Sequence, residues 1–251
     1  MNEKPRLNTK SVRGRIVRAH RDRPVVEPIF QSATFEASSF DTLLRVPSAD
    51  RFYTRYGNPT FTATETRIAE LEGADGALVF ASGMAAIGTA LLAVLRAGDH
   101  LVVQSDIYGG ALAFIGEWLP RYGIDSTRIE PDDPDGFERA MRKNTRAIYI
   151  ESPSNPMLKV VDLKRIAELG RRHGAVTMID NTFATPINQR PHEFGIDIVL
   201  HSGTKFLSGH SDLVCGAATG TKARVDELSR ARRSFGGVMD PHASWLLMRG
   251  M

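Results

Sequence analysis

From Ala77 onward, short apolar runs alternate with stretches of helical period, and that alternation limits the chain to a small set of architectures. The candidate strands fall at 77–80, 101–103, 126–129, 147–150, 176–179, 198–200 and 215–218. Helical patterns fill most gaps, at 84–96, 109–121, 135–143, 162–173 and 222–234. Continuous apolar strands between helices predict a mainly parallel sheet of seven strands, covered by helices on both faces. Before the first strand, Thr62 and Glu65 have capping-box spacing, which predicts a helix from there to Gly73. Residues 1–52 are basic, proline-punctuated and weakly periodic, and read as an extended arm ahead of a single large domain, 53–251.

Bulk properties exclude several classes. With 251 residues, 42% hydrophobic and 24% charged, the chain is long enough for one large core. The net charge of +3 comes from mixed signs. The basic clusters 171–173 and 230–233 fall in helical patterns and are expected to face solvent, and no aromatic-interleaved basic stripe supports a nucleic-acid partner. One cysteine, Cys215, rules out an intrachain disulfide and suits a reducing compartment. No apolar run approaches the roughly 18 residues of a membrane span, and the N-terminus lacks the apolar core of a signal peptide. A cytoplasmic protein is expected.

In parallel α/β sheets, ligands sit beyond the carboxyl ends of the strands. The residues there are unusual: Ser82-Gly83-Met84, then 104–109 with Tyr108, 151–156 with Asn155, Asp180-Asn181-Thr182, and His201-Ser202-Gly203-Thr204-Lys205. A carboxylate at a strand end is partly desolvated and needs a donor or cation. Asp180 could therefore cap a helix, pair with Lys205, or share a cofactor with it. In the last case the lysine forms a Schiff base and the acid meets a pyridinium nitrogen, which is the pattern pyridoxal 5'-phosphate needs. Ser82-Gly83-Met84 opens a helix directly after a strand, where free N–H groups and the helix dipole favour a phosphate, although an ordinary strand-to-helix turn has the same sequence. Ser202 and Thr204 offer hydroxyls, and Tyr108 offers a stacking face or simple packing. Ser202 and Lys205 formally match S-x-x-K, but the companion boxes of penicillin-binding enzymes are missing. Neither a dinucleotide nor a nucleoside-triphosphate glycine loop is present, and His201, His210 and Cys215 lack a zinc spacing, so no metal is expected.

These stretches resemble the Cys/Met-metabolism branch of pyridoxal-phosphate enzymes, which has the aspartate-aminotransferase-like fold (fold type I). The matching segments are YTRYGNPT (53–60), FASGMAA (80–86), DIYGG (106–110), ESPSNP (151–156), IDNTF (179–183) and HSGTKFLSGHSD (201–212), in family order. The resemblance implies that Lys205 carries the cofactor and shuttles protons. It implies that Asp180 pairs with the pyridine nitrogen, that Tyr108 stacks on the ring and assists proton transfer, and that Asn155 lies near the ring hydroxyl and substrate carboxylate. Gly83, Met84, Ser202 and Thr204 would hold the phosphate, with Ser82 opening that turn. Tyr53 and Arg55 would reach the phosphate of a neighbouring subunit, making a homodimer the minimal unit, usually paired into a homotetramer. The implied activity is trans-sulfuration on small amino-acid substrates in cysteine and methionine metabolism: gamma-replacement or gamma-elimination on O-acylhomoserine or cystathionine. O-acylhomoserine sulfhydrylation is the alternative within enzymes, and a cofactor-binding fragment without turnover is the alternative of another class. Methionine gamma-lyases carry a cysteine soon after the stacking tyrosine, whereas this chain reads Tyr108-Gly109-Gly110-Ala111. Family members continue into a C-terminal small domain, and the resemblance implies that residue 251 falls where that domain would begin. The apolar run 245–248 is accordingly expected to lead out of the large domain and to leave apolar surface open.

Overall fold

A computed structural model of the chain describes residues 24–36 and 52–251. Seven strands form one sheet: β1 (Gly76–Phe80), β2 (His100–Gln104), β3 (Asp125–Ile129), β4 (Thr145–Glu151), β5 (Val176–Asp180), β6 (Ile198–His201) and β7 (Gly216–Gly220). Their order is β1-β7-β6-β5-β4-β2-β3. Neighbours from β6 through β3 pair in parallel, and β7 runs antiparallel to both β6 and β1. The expected mainly parallel seven-stranded sheet is present, with β7 the one reversed strand.

Alternation along the strands sends side chains to two buried faces. On one face, Phe80, Val103, Tyr149, Met178 and Leu200 pack against helix α2 (Gly83–Val94), Ala111 of α3 (Gly109–Ala113) and Leu228 of α7 (Lys222–Phe235). On the other, Val102, Ile148, Ile150, Ile179 and Val199 meet Phe137 of α4 (Pro134–Arg139) and Ile166 and Leu169 of α5 (Leu163–His173). Towards the β1 edge, Ala77, Val79 and Ala217 pack against Phe61 and Ile68 of α1 (Pro59–Glu72) and Leu247 of α8 (Pro241–Gly250). A short helix, α6 (Thr185–Asn188), follows β5.

Four local expectations are corrected. Helix α1 begins at Pro59, with Asn58 as its cap accepting from Thr60 N at 2.9 Å, so Thr62 and Glu65 form no capping box. Glu65 instead accepts from Val79 N at 3.0 Å and Arg232 at 2.8 Å. Arg232, expected at the surface, is 2% exposed and also donates to Val79 O. The pattern at 109–121 is not one helix: α3 passes into a π turn (Phe114–Trp118) and a 3-10 turn (Leu119–Tyr122). Pro120 has no N–H to donate four residues back, so the α ladder cannot continue through it. Finally, the run 245–248 packs on the domain rather than standing open: Leu247 and Met248 are buried, and the Trp245 indole donates to Glu27 O at 2.9 Å.

The arm expected at 1–52 lies largely outside the described residues. Its part 24–36 runs without helix, bridges Thr34 to Tyr53, and ties Phe30 N to Thr60 Oγ1. Among the described residues no helix is long and apolar enough to cross a membrane.

Candidate active site

The carboxyl ends of β2, β4, β5 and β6 point the same way, as parallel pairing requires, and β1 ends on that side too. At the end of β5, Asp180 is 5% exposed, so burial pushes its carboxyl up against the pull of the Thr182 hydrogen bonds. Both donors come from Thr182, its N–H at 3.0 Å and its hydroxyl. That hydroxyl in turn accepts from Ser202 N at 2.8 Å. One threonine thus joins the acid of β5 to the loop after β6, and Asn181 N donates to Leu200 O at 2.8 Å alongside it. The Lys205 side chain is exposed, and no ion pair or hydrogen bond holds its amine among the described residues. The ion pair with Asp180 that the sequence leaves open is not formed.

The first turn of α2 meets the same loop. Ser82 caps it, Oγ accepting from Ala85 N at 3.0 Å and its carbonyl from Ala86 N, which leaves the Gly83 and Met84 N–H groups outside the helix ladder. Gly83 approaches Ser202 so closely that a Cβ would lie 2.9 Å from Ser202 Cβ and 3.1 Å from its Oγ. The Ser202 hydroxyl and two free helix N–H groups therefore converge, which is the donor set an anion requires. Thr204 departs from expectation: its hydroxyl donates to Cys215 O at 3.2 Å and accepts from Cys215 N at 3.0 Å, so it must leave that bond to meet a phosphate. Cys215 itself is buried, and burial pushes its thiol up to about 12, so it is no nucleophile.

Tyr108 stands 45% exposed at the start of α3, its N–H donating to Glu151 Oε2 at 2.7 Å. A Cβ on Gly110 would lie 2.5 Å from the tyrosine ring, so only glycine lets the ring fold back there. Glu151 also accepts from the Asn155 N–H. It ends β4 beside Asp180, in register with it. Burial first, and then the Asp180 charge, raise its carboxyl to about 8. Gln104 Oε1 accepts from Glu151 N, and Ser154 Oγ donates to Asp106, so the loops after β2 and β4 are stitched together. The Ser152–Pro153 and Asn155–Pro156 bonds are cis.

Tyr53 and Arg55 are not brought to this cluster within one chain. The Arg55 guanidinium lies 5.2 Å from the Tyr53 ring and 4.8 Å from Tyr56, and donates to Arg233 O. Both residues line a separate cleft of about 450 Å³, with Gln31, Met239 and Asp240. Sequence reasoning missed Thr182 and Glu151 as site residues. The only signal for Thr182 was its place two residues after Asp180, where a hydroxyl can bond back to a carboxylate.

The residues fit pyridoxal phosphate. A buried acid short of a cationic partner, an unpaired lysine, a helix N-terminus with an adjoining serine, and a flat exposed ring stand around the same strand ends.

The model of the Cys/Met metabolism PLP-dependent enzyme family matches residues 8–251. A cystathionine beta-lyase of Bacillus subtilis is 44% identical over 225 residues, which is 89% of this chain and 56% of that protein. A cystathionine gamma-lyase of the same organism is 42% identical over 248 residues, 97% of this chain and 63% of that one. A Campylobacter jejuni protein, metY, assigned as an O-acetylhomoserine (thiol)-lyase and carrying N'-pyridoxyl-lysine-5'-monophosphate, superposes with a TM-score of 0.92 at 27% identity, over 98% of this chain and 70% of that one. The chain spans about three-fifths of the length of the two Bacillus relatives.

Proposed function

The chain belongs to the Cys/Met metabolism PLP-dependent enzyme family, and on that premise we propose that it serves gamma-replacement or gamma-elimination on O-acylhomoserine or cystathionine. The observation that carries the reading is the Thr182 bridge, in which one hydroxyl joins buried Asp180 to the Ser202 loop that bears Lys205. When bound, pyridoxal phosphate supplies an electron sink for charge developed at the substrate α carbon.

The chain's own residues divide the remaining work. Asp180, buried and held by Thr182, accepts the pyridine N–H and keeps that nitrogen protonated. The Gly83 and Met84 N–H groups and the Ser202 hydroxyl hold the phosphate, with Thr204 joining after release from Cys215. Tyr108 covers one face of the ring, and Asn155 meets the ring hydroxyl and the substrate carboxylate. Lys205, exposed and, among the described residues, unpaired beside the Ser202 loop, would be the residue that holds the cofactor, and its amine would be the group that takes the substrate α proton.

Residues 53–251 form the cofactor domain in this reading, and 1–52 the arm. Tyr53 and Arg55, lying in a separate cleft, act on a second copy of the chain, so the working unit is at least a homodimer. Sulfhydrylation of O-acylhomoserine is the second reading, favoured by the likeness to metY. Assays of the holoenzyme with O-acetylhomoserine plus cysteine, with O-acetylhomoserine plus sulfide, and with cystathionine alone test both. Turnover in the first or third supports the main reading, and preference for sulfide supports the second. No turnover in any of the three overturns both.

A further inference from the structure

Behind the site lies a second cluster that the mechanism does not use. Glu72, the last residue of α1, is fully buried, and so is His201, the last of β6. His201 Nε2 lies 2.5 Å from Glu72 Oε1, and Asn181 Nδ2 reaches the same oxygen at 3.2 Å. Asn181 exchanges hydrogen bonds with Gln189: its Nδ2 donates to Gln189 O at 2.9 Å and its Oδ1 accepts from Gln189 Nε2 at 2.8 Å. Gln189 Nε2 also donates to Ser152 O at 2.8 Å. The network therefore grips the chain at three strand ends: His201 directly before Ser202, Asn181 directly after Asp180, and Ser152 directly after Glu151.

Stability alone is a poor reason for an acid at this position. The C-terminal end of a helix is the wrong place for a carboxylate, because the macrodipole is negative there. Glu72 Oε2 is buried without a partner among the described residues, which carries a desolvation cost. Buried polar pairs of this kind are often replaced by packed apolar residues with no loss of stability. What the acid does supply is one acceptor oxygen shared by the ends of β5 and β6. Those ends flip alternate side chains to opposite faces, so whatever fixes His201 and Asn181 below the sheet also fixes Ser202 and Asp180 above it.

We propose that Glu72 is a positioning residue of the cofactor site, locking His201 and Asn181 from beneath so that Asp180 and Ser202 stay in register for the two ends of the cofactor. The inference rests on the proposed placement of the pyridine nitrogen at Asp180 and of the phosphate at Ser202.

The test uses cofactor binding rather than turnover. The dissociation constant of pyridoxal phosphate and the visible circular dichroism of the bound form are measured for Glu72→Gln, for the double variant Glu72→Leu/His201→Leu, and for Asp180→Asn. Glu72→Gln keeps an acceptor oxygen for both partners and is expected to match the parent. The double variant fills the space with apolar groups, so a merely structural pair would leave the cofactor signals unchanged. Under the proposal it folds, binds pyridoxal phosphate about tenfold or more weakly, in line with the loss of one to two buried hydrogen bonds, and loses most of the visible dichroism at saturation. A folded double variant with parental affinity and dichroism overturns the inference. If that variant does not fold, Asn181→Ala cuts the same network one link along, and parental values there overturn it equally. Asp180→Asn separates the two levels. Unchanged binding in Asp180→Asn means that the site placement has failed, whereas weakened binding there with unaffected network variants means that only the role of Glu72 has.

Discussion

Two carboxyls close neighbouring strands at the centre of the site, and their environments give them different tasks. Asp180 has two donors from Thr182 and is proposed to face the pyridine nitrogen, whereas Glu151 holds the N–H groups of Tyr108 and Asn155 and so positions the ring proposed to stack. With no cation hydrogen-bonded to either carboxyl among the described residues, burial raises both, and for Glu151 the Asp180 charge adds to it. The consequence for stability has a definite sign. Glu151 ionises near 4.5 in the unfolded chain and at about 8 in the folded one. The folded state therefore binds more protons across that window, and stability falls as pH rises through it. The cofactor-free protein should lose melting temperature steadily from about pH 5 to about pH 8, and Glu151→Gln should flatten that slope while keeping an acceptor for Tyr108. Equal slopes in the two proteins would show that the Glu151 carboxyl does not hold its proton as described. At this scale the sequence exposed the residues proposed to meet the cofactor, because an acid, a lysine and a serine-glycine turn at strand ends are conspicuous by type. Thr182, Glu151 and Glu72 were not legible, since their roles depend on partners 20, 43 and 129 residues away that only the fold brings close.

Among the elements, the turn from β1 into α2 and the start of α1 matter most for the site. Gly83 lets α2 press its first turn against Ser202, and an added methyl would stand 2.9 Å from Ser202 Cβ and 3.0 Å from its Cα. Gly83→Ala should push the two apart and weaken pyridoxal-phosphate affinity with little change in far-UV circular dichroism; parental affinity would show that this close approach is not needed. Asn58 caps α1 and also donates to Phe30 O and to Thr54 Oγ1, tying the segment before the helix in place. Asn58→Ala should cost about 1–2 kcal/mol of stability by urea denaturation, a cap's usual worth, and no measurable loss would mean that water or a neighbour replaces the cap. The sequence placed every strand to within a few residues, because continuous apolar runs bounded by glycine and polar residues have few alternatives. It misplaced the start of α1 because Asn-Pro and Thr-x-x-Glu are both valid opening signals, and which one acts is decided by Glu65 turning inward to Val79 and Arg232. It read 109–121 as one helix because the periodicity survives across the π turn while the hydrogen-bond ladder does not.

At the level of the whole molecule, the sheet gathers five loops at one end, and Tyr53 and Arg55 stand apart from them, around a cleft of their own. If those two residues complete the site of a second copy, inactive full-length Arg55→Ala and Lys205→Ala chains should regain activity when mixed and allowed to exchange subunits, since a hybrid dimer contains one intact site. Exchange without recovery would contradict the shared site. The family and the sheet were legible from the order of the motifs, and the separation of Tyr53 and Arg55 from Lys205 within one chain agrees with the resemblance, which assigns them to a neighbouring subunit's site. Every role proposed for Asp180, Ser202, Gly83 and Tyr108 supposes that Lys205 is where the cofactor is attached. Borohydride reduction of the holoenzyme, followed by peptide mass mapping, tests that directly. The account predicts loss of the visible absorbance band, a pyridoxyl phosphate mass on the peptide containing Lys205, and neither in Lys205→Ala. A label on a different lysine, with the band retained in Lys205→Ala, would contradict it.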